Sequence, residues 1–205
     1  MNDVKKAKTD TSIEPMLADR WSPYAFSDRL VADEDLRAIL EAARWAPSSY
    51  NEQPWRYILA RREDKEAFAK LFSCLVEGNQ AWAGDAPVLM IGVAMMNFLR
   101  NGKPNKAAHH DLGLAAGNLC LEATARGLFV HQMIGILPER VRELYQVPAD
   151  AEPLTAIAVG YLGDVANLAG PLRERDLAPR TRRPVVDFVF AGAWGRPAGF
   201  SSRVP

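Results

Sequence analysis

Apolar residues recur at helical spacing from Asp33 to Trp45, where Leu36, Ile39, Leu40 and Ala43 share one face. Glu34 and Asp35 fall in the first turn, where the helix dipole favours anions, and the helix should stop at Pro47. A polar run from Ser48 to Asn51 leads through Pro54 to a strand predicted over Trp55 to Ala60. Asp64 is placed to cap a second helix, whose stripe is Phe68, Leu71, Phe72 and Leu75 and whose end is expected at Gly78. The longest strongly apolar stretch, Ala86 to Met96, contains Pro87 and is far short of the ~20 residues a membrane helix requires. It reads as a buried strand over Val88 to Met95.

Leu112, Ala115, Ala116, Leu119 and Ala123 predict a long helix from about Ala107 to Arg126, stopped at Gly127. Its alanines, with Gly113 and Gly117, allow another backbone to approach closely. Leu128 to Met133 reads as extended, Pro138 opens a short helix through Tyr145, and Leu154 to Leu162 reads as a strand. Beyond Gly163 the chain turns Arg- and Pro-rich, without strong periodicity until Val185 to Phe190. Helices therefore interleave with strands without a regular βαβ alternation, which is the pattern of an α+β domain.

With 205 residues, 48% of them hydrophobic, the chain can bury a core that needs neither disulfide nor metal. Residues 16–205 are expected to form that single domain, behind a disordered lead over residues 1–15. Lys5, Lys6 and Lys8 in the lead are followed by no apolar run, so a secretory signal is not expected. The formal charge is zero, with 25 basic and 25 acidic residues, which argues against a general attraction to nucleic acid or an anionic membrane. Any anion site must be local. Cys74 and Cys120 sit among apolar residues in no metal-binding spacing, which points to core packing in a reducing, cytoplasmic setting.

Three constellations could carry chemistry. The first joins Arg20 and Ser22 to a distant run in which Arg173, Arg175, Arg180, Arg182 and Arg183 outnumber Glu174 and Asp176. Guanidinium forks grip phosphate or carboxylate oxygens bidentately, and a hydroxyl adds a donor, though a solvated or ion-paired surface would look the same. The second is the loop Ala46 to Trp55, APSSYNEQPW, whose hydroxyls and amides could meet the edge of a heterocycle or a sugar chain, or could simply bond their own backbone as a capped turn. The third is Gly127 to Gly135, where a strand-like run ends in a glycine that lets backbone amides face an acceptor atom. His131 within it reads as a structural residue. His109 and His110 beside Asp111 point to different helix faces, without further ligands, so no metal site is expected.

Together these pieces resemble the FMN-dependent nitroreductase family, from about Arg20 to Trp194. The resemblance rests on Arg-x-Ser at Arg20, Trp21 and Ser22, on the Pro-Ser-Ser-x-Asn-x-Gln-Pro-Trp loop at Pro47 to Trp55, on Asn79, and on Arg180-Thr181-Arg182 before Pro184. It implies a central, mostly antiparallel sheet flanked by helices, in an intertwined homodimer with two equivalent sites. It also implies that Arg20, Trp21, Ser22, Arg180 and Arg182 hold the FMN phosphate end. Pro47, Ser48, Ser49 and Asn51, supplied by the partner subunit, would line the ribityl chain and the ring. Asn79 would meet the pyrimidine edge, Ile134 and Gly135 would bring backbone amides to N5, and Met133 would also contact the cofactor.

The implied activity is hydride transfer from NADH or NADPH to a small flat acceptor such as a nitroaromatic or quinone, by a ping-pong cycle. Small-molecule substrates and the chain itself are then the expected partners, with no nucleic acid and no membrane. A different flavin reaction on the same fold, or a non-catalytic flavin-binding module, stays open at this level. Two positions depart from the family pattern: Tyr24 stands where a basic residue is common, and Ile134 where a small or acidic one is.

Overall fold

The computed structural model describes residues 3–199. Four strands, β1 (Trp55–Arg61), β2 (Val88–Met95), β3 (Phe129–Met133) and β4 (Ala151–Gly160), form one sheet in the order β1-β2-β4-β3. All three pairings are antiparallel, in keeping with an α+β fold. The two central strands face a core on both sides, which is why β2 reads as an unbroken apolar run. Val88, Met90, Ile157 and Val159 point to one face, and Leu89, Ile91, Ala156 and Ala158 to the other.

The first face is covered by α2 (Asp33–Arg44) and α5 (Ala108–Ala125), which contribute Leu36, Ile39, Leu112, Ala115 and Leu119. The second is covered by α3 (Lys65–Phe72), α4 (Glu77–Ala83) and α6 (Pro138–Tyr145), through Phe68, Leu71, Trp82 and Val141. Two further helices are α1 (Pro15–Asp19) and α7 (Gly170–Leu177).

The Asp64 cap forms as the sequence suggests, its carboxylate accepting the Ala67 amide at 3.0 Å. The helix it opens does not run to Gly78. It ends at Phe72, because residues 74–76 leave the helix to pair with the chain after β3: Leu75 bridges Ile136, the Leu137 amide donates to the Cys74 carbonyl at 2.7 Å, and the Val76 amide donates to the Gly135 carbonyl at 3.1 Å. Gly78 therefore lies inside α4. The strand expected over Leu154 to Leu162 runs instead from Ala151 to Gly160, and α7 occupies a stretch whose apolar pattern announces no helix.

Part of the lead is tied to the domain. Lys5 is only 6% exposed and donates to the Arg175 and Ala178 carbonyls, each at 2.7 Å, while the Ala7 amide donates to the Ala18 carbonyl at 2.9 Å. Among the described residues no helix is long and apolar enough to cross a membrane.

Candidate functional site

Strand β3 is an edge strand, and the segment Trp21–Ala25 lies along it. The Trp21 ring meets Phe129 edge-on with centroids 5.9 Å apart, and His131 Nδ1 donates to the Pro23 carbonyl at 2.8 Å. That bond fixes a neutral tautomer with the proton on Nδ1. Burial is the main cause of the imidazole's lowered pKa, and the ring packs between Trp82 and Tyr24 at 4.4 and 4.8 Å. His131 is a structural member of the site wall. Tyr24 completes this aromatic box.

The segment places Arg20 and Ser22 side by side, the guanidinium donating to the serine hydroxyl at 3.3 Å. From the far end of the chain, Arg180 reaches in and donates to the Arg20 and Ala18 carbonyls. Burial first, then the charges of Arg20 and Arg182, hold the Arg180 guanidinium below its ordinary value, so three cations stand within electrostatic range. Arg180 Nε is buried with no hydrogen-bond partner among the described residues, and Arg182 is exposed with Nη1 bonded only to its own Thr181 carbonyl. Like charges gathered this closely repel, the Asp19 carboxylate nearby offsets part of that repulsion, and the remaining donors fit a phosphate. The Trp21 side chain is buried, with its ring against Phe129 and under the Lys5 ammonium.

At the C-terminal end of β3, Met133 is buried and its carbonyl accepts the Thr155 hydroxyl at 3.2 Å. Ile134 then turns outward, 71% exposed, and its carbonyl accepts the Ile136 amide at 2.7 Å. Neither the Ile134 nor the Gly135 amide donates to any group among the described residues. Asn79 Nδ2 donates to the Gly135 carbonyl at 2.8 Å, so the predicted pair Asn79 and Gly135 do meet. A methyl group on Gly135 would come within 2.5 Å of that nitrogen and 2.8 Å of Val76 Cγ2, which explains the glycine sterically. His131 on β3 contacts the Trp21–Ala25 segment, and Gly135, two residues past the strand's end, contacts Asn79.

The loop Pro47, Ser48, Ser49, Asn51 is tied to the start of α5. The Ser49 amide donates to the buried carboxylate of Asp111 in the first turn of α5 at 3.0 Å, and the Gln53 amide donates to Ser48 Oγ at 3.0 Å. Tyr50, Asn51 and Gln53 all take positive φ, near +55°, +55° and +52°. No described hydrogen bond joins this loop to the arginine group or to Gly135 in the same subunit. Pro47 and Asn51 are exposed.

Sequence reasoning missed two carboxylates. Asp176 accepts the Tyr24 amide on both oxygens at 3.0 Å and the Ala25 amide at 3.1 Å. It had counted only as charge against the arginines. Asp111 had been weighed only beside two histidines, although its spacing from Ala108 and Ala115 puts it on the buried face of α5. Cys74 and Cys120 are buried and burial pushes both thiols up, away from thiolate chemistry. A cavity of about 440 Å³, lined in part by Phe26, Asp28, Arg62 and Asp164, takes in none of the predicted residues. The arginine group lies outside that cavity.

The sequence model of the nitroreductase family matches residues 17–161. The chain is similar to an uncharacterized 15.4 kDa protein from the ask 5' region of Mycolicibacterium smegmatis, at 33% identity over 152 residues covering 69% of this chain and 99% of that protein. It is also similar to the FMN reductase (NAD(P)H) of Bacillus subtilis strain 168, at 28% identity over 181 residues, 80% of this chain and 68% of that one. Among solved structures it resembles an oxidoreductase containing FMN, with a TM-score of 0.86 and 34% identity over 92% of this chain and 96% of the other. A nitroreductase family protein from Clostridium difficile 630 follows the same fold, with a TM-score of 0.67 and 26% identity over 87% and 96%.

Proposed function

The chain belongs to the nitroreductase family, and from that premise we propose that it is an oxidoreductase that binds FMN and carries hydride from NADH or NADPH to a small flat acceptor such as a nitroaromatic or quinone. The observation that carries the reading is the meeting of Arg20 and Ser22 with Arg180, across 160 residues of sequence, at one edge of the sheet. When bound, FMN supplies the hydride chemistry at N5, and the protein supplies position and electrostatics.

Arg20, Ser22, Arg180 and Arg182 neutralise the phosphate with charge-assisted donors. The Ile134 and Gly135 amides, free of internal partners among the described residues, would offer hydrogen bonds to N5 of a bound flavin. Asn79 meets the pyrimidine edge while its amide nitrogen stays tied to the Gly135 carbonyl. The protruding Ile134 side chain narrows the space above the ring and favours thin, planar acceptors. Donor and acceptor that take turns over the same ring face give ping-pong kinetics.

The Pro47–Asn51 loop completes the site from a second copy of the chain. Its separation from the arginine group within one subunit supports this, as do the outward-facing Gly113 and Gly117 of α5, which meet nothing of their own chain within 4 Å. A two-fold dimer then makes two equal sites.

Two measurements test the reading. The purified protein should be yellow and should lose its visible flavin absorbance when NADH or NADPH is added without oxygen; a yellow protein bleached by neither would make it a flavin protein of another kind. Replacing Arg20 or Arg180 by alanine should strip FMN far more readily than replacing Arg62, and equal retention would undo the phosphate assignment.

A further inference from the structure

The family match begins at residue 17 and ends at residue 161, yet the best-tied contacts of the anion group come from outside that span. We propose that Lys5 and Asp176 are positioning residues that lock the phosphate clamp in its binding geometry, so that the N-terminal lead is a working part of the cofactor site. The proposal rests on the phosphate assignment above.

Lys5 sits where α7 ends. Its ammonium donates to the carbonyls of Arg175 and Ala178, groups that the last turn of a helix leaves without intrahelical donors, and the helix dipole adds to the attraction. The Trp21 ring lies 4.9 Å beneath the charge, and the Asp176 carboxylate stands within electrostatic reach. An ammonium buried this deeply is tolerated only because these partners replace its water.

The lock has a direct line to the clamp. Ala178, held by Lys5, is two residues before Arg180, so fixing that carbonyl fixes the point from which the Arg180 side chain departs. Asp176, two residues before Ala178, grips the amides of Tyr24 and Ala25, two and three residues beyond Ser22. One short helix end is thereby bound to both halves of the clamp. The lead reinforces the arrangement: the Ala7 amide shares the Ala18 carbonyl with Arg180, and Lys6 lies 3.9 Å from Asp19. Without Lys5 the end of α7 loses its anchor, and Arg180 must be ordered anew each time the phosphate binds.

Because the lock acts through Arg180, it should matter only for a flavin that carries a phosphate. The test compares FMN with riboflavin, titrated into flavin-stripped full-length protein and followed by quenching of flavin fluorescence. For Lys5→Met and for Asp176→Asn the FMN dissociation constant should rise by about ten-fold, the scale of one charge-assisted bond, while that of riboflavin stays put. Lys5→Arg should recover part of the loss, and Lys5→Met should add little once Arg180 is alanine.

FMN affinity unchanged in Lys5→Met, alongside a clear loss in Arg180→Ala, would overturn the lock and leave the clamp standing. Equal weakening of FMN and riboflavin would also overturn it, by reducing both residues to general stability. If Arg180→Ala itself has no effect, the phosphate assignment fails first. Should Lys5→Met not fold, Asp176→Asn decides the matter by the same ratio.

Discussion

Gly135 shows how one residue type can be dictated by a neighbour. Its carbonyl accepts from both Asn79 and Val76, and a methyl group in place of its hydrogen would collide with both side chains. Gly135→Ala should therefore cost about 1–3 kcal/mol, the usual penalty of overpacking, and should weaken flavin binding as Asn79 is pushed aside. Urea unfolding and an FMN titration check the two parts separately. His131 carries the pH dependence. Its imidazole is neutral in the fold with a pKa below the ordinary 6.5, so the unfolded chain binds a proton first as the pH falls. The associated stability is complete above that ordinary value and drains away below it. The thermal midpoint of the wild type should fall with acidification through this range more steeply than that of His131→Gln, and parallel curves would contradict the assignment. The glycine and Asn79 were legible in the sequence only through the family motif, since a lone glycine at a strand end says little by itself. Asp176 was not legible at all, because nothing local distinguishes a buried acid from the solvated ones beside it.

The elements whose apolar period is regular were legible to within a residue or two. Helix α2, strand β2 and helix α6 all lie where periodicity and proline placement put them. The sequence failed where long-range pairing won over local pattern. Leu75 continues the apolar stripe of α3 but is drawn into a bridge with Ile136, and α7 is held by Lys5 and Asp176 rather than by an apolar face. The Pro47–Asn51 loop belongs to the same class. Its non-glycine residues at positive φ store strain of order 1 kcal/mol each, offset by the grip of Asp111 on the Ser49 amide. Asp111→Ala leaves that amide without an acceptor and should destabilise the protein by about 1–3 kcal/mol in urea unfolding. Flavin release should quicken as well if the loop lines a neighbouring site.

At the scale of the molecule, the C-terminal stretch after α7 presents Val185, Val186, Phe188 and Trp194 to solvent, the last 93% exposed. An arm this apolar, with its own hairpin bridge between Phe190 and Pro197, makes a poor free surface and a good clasp for a second copy. Gly113 and Gly117 of α5 face outward as well. The protein should therefore run as a dimer at micromolar concentration in analytical ultracentrifugation, and removal of residues 184–205 should shift it toward monomer and strip its flavin together. Loss of dimer with full flavin retention would argue that each subunit holds its cofactor alone.

The most direct single measurement is a crystal structure of the flavin-loaded protein. The account predicts a phosphate within hydrogen-bonding distance of Arg20, Ser22 and Arg180, a ring resting at Ile134–Gly135, and a second copy's Pro47–Asn51 loop closing over it. A phosphate bound in the cavity beside Asp28 and Arg62, or a ring far from Gly135, would contradict it.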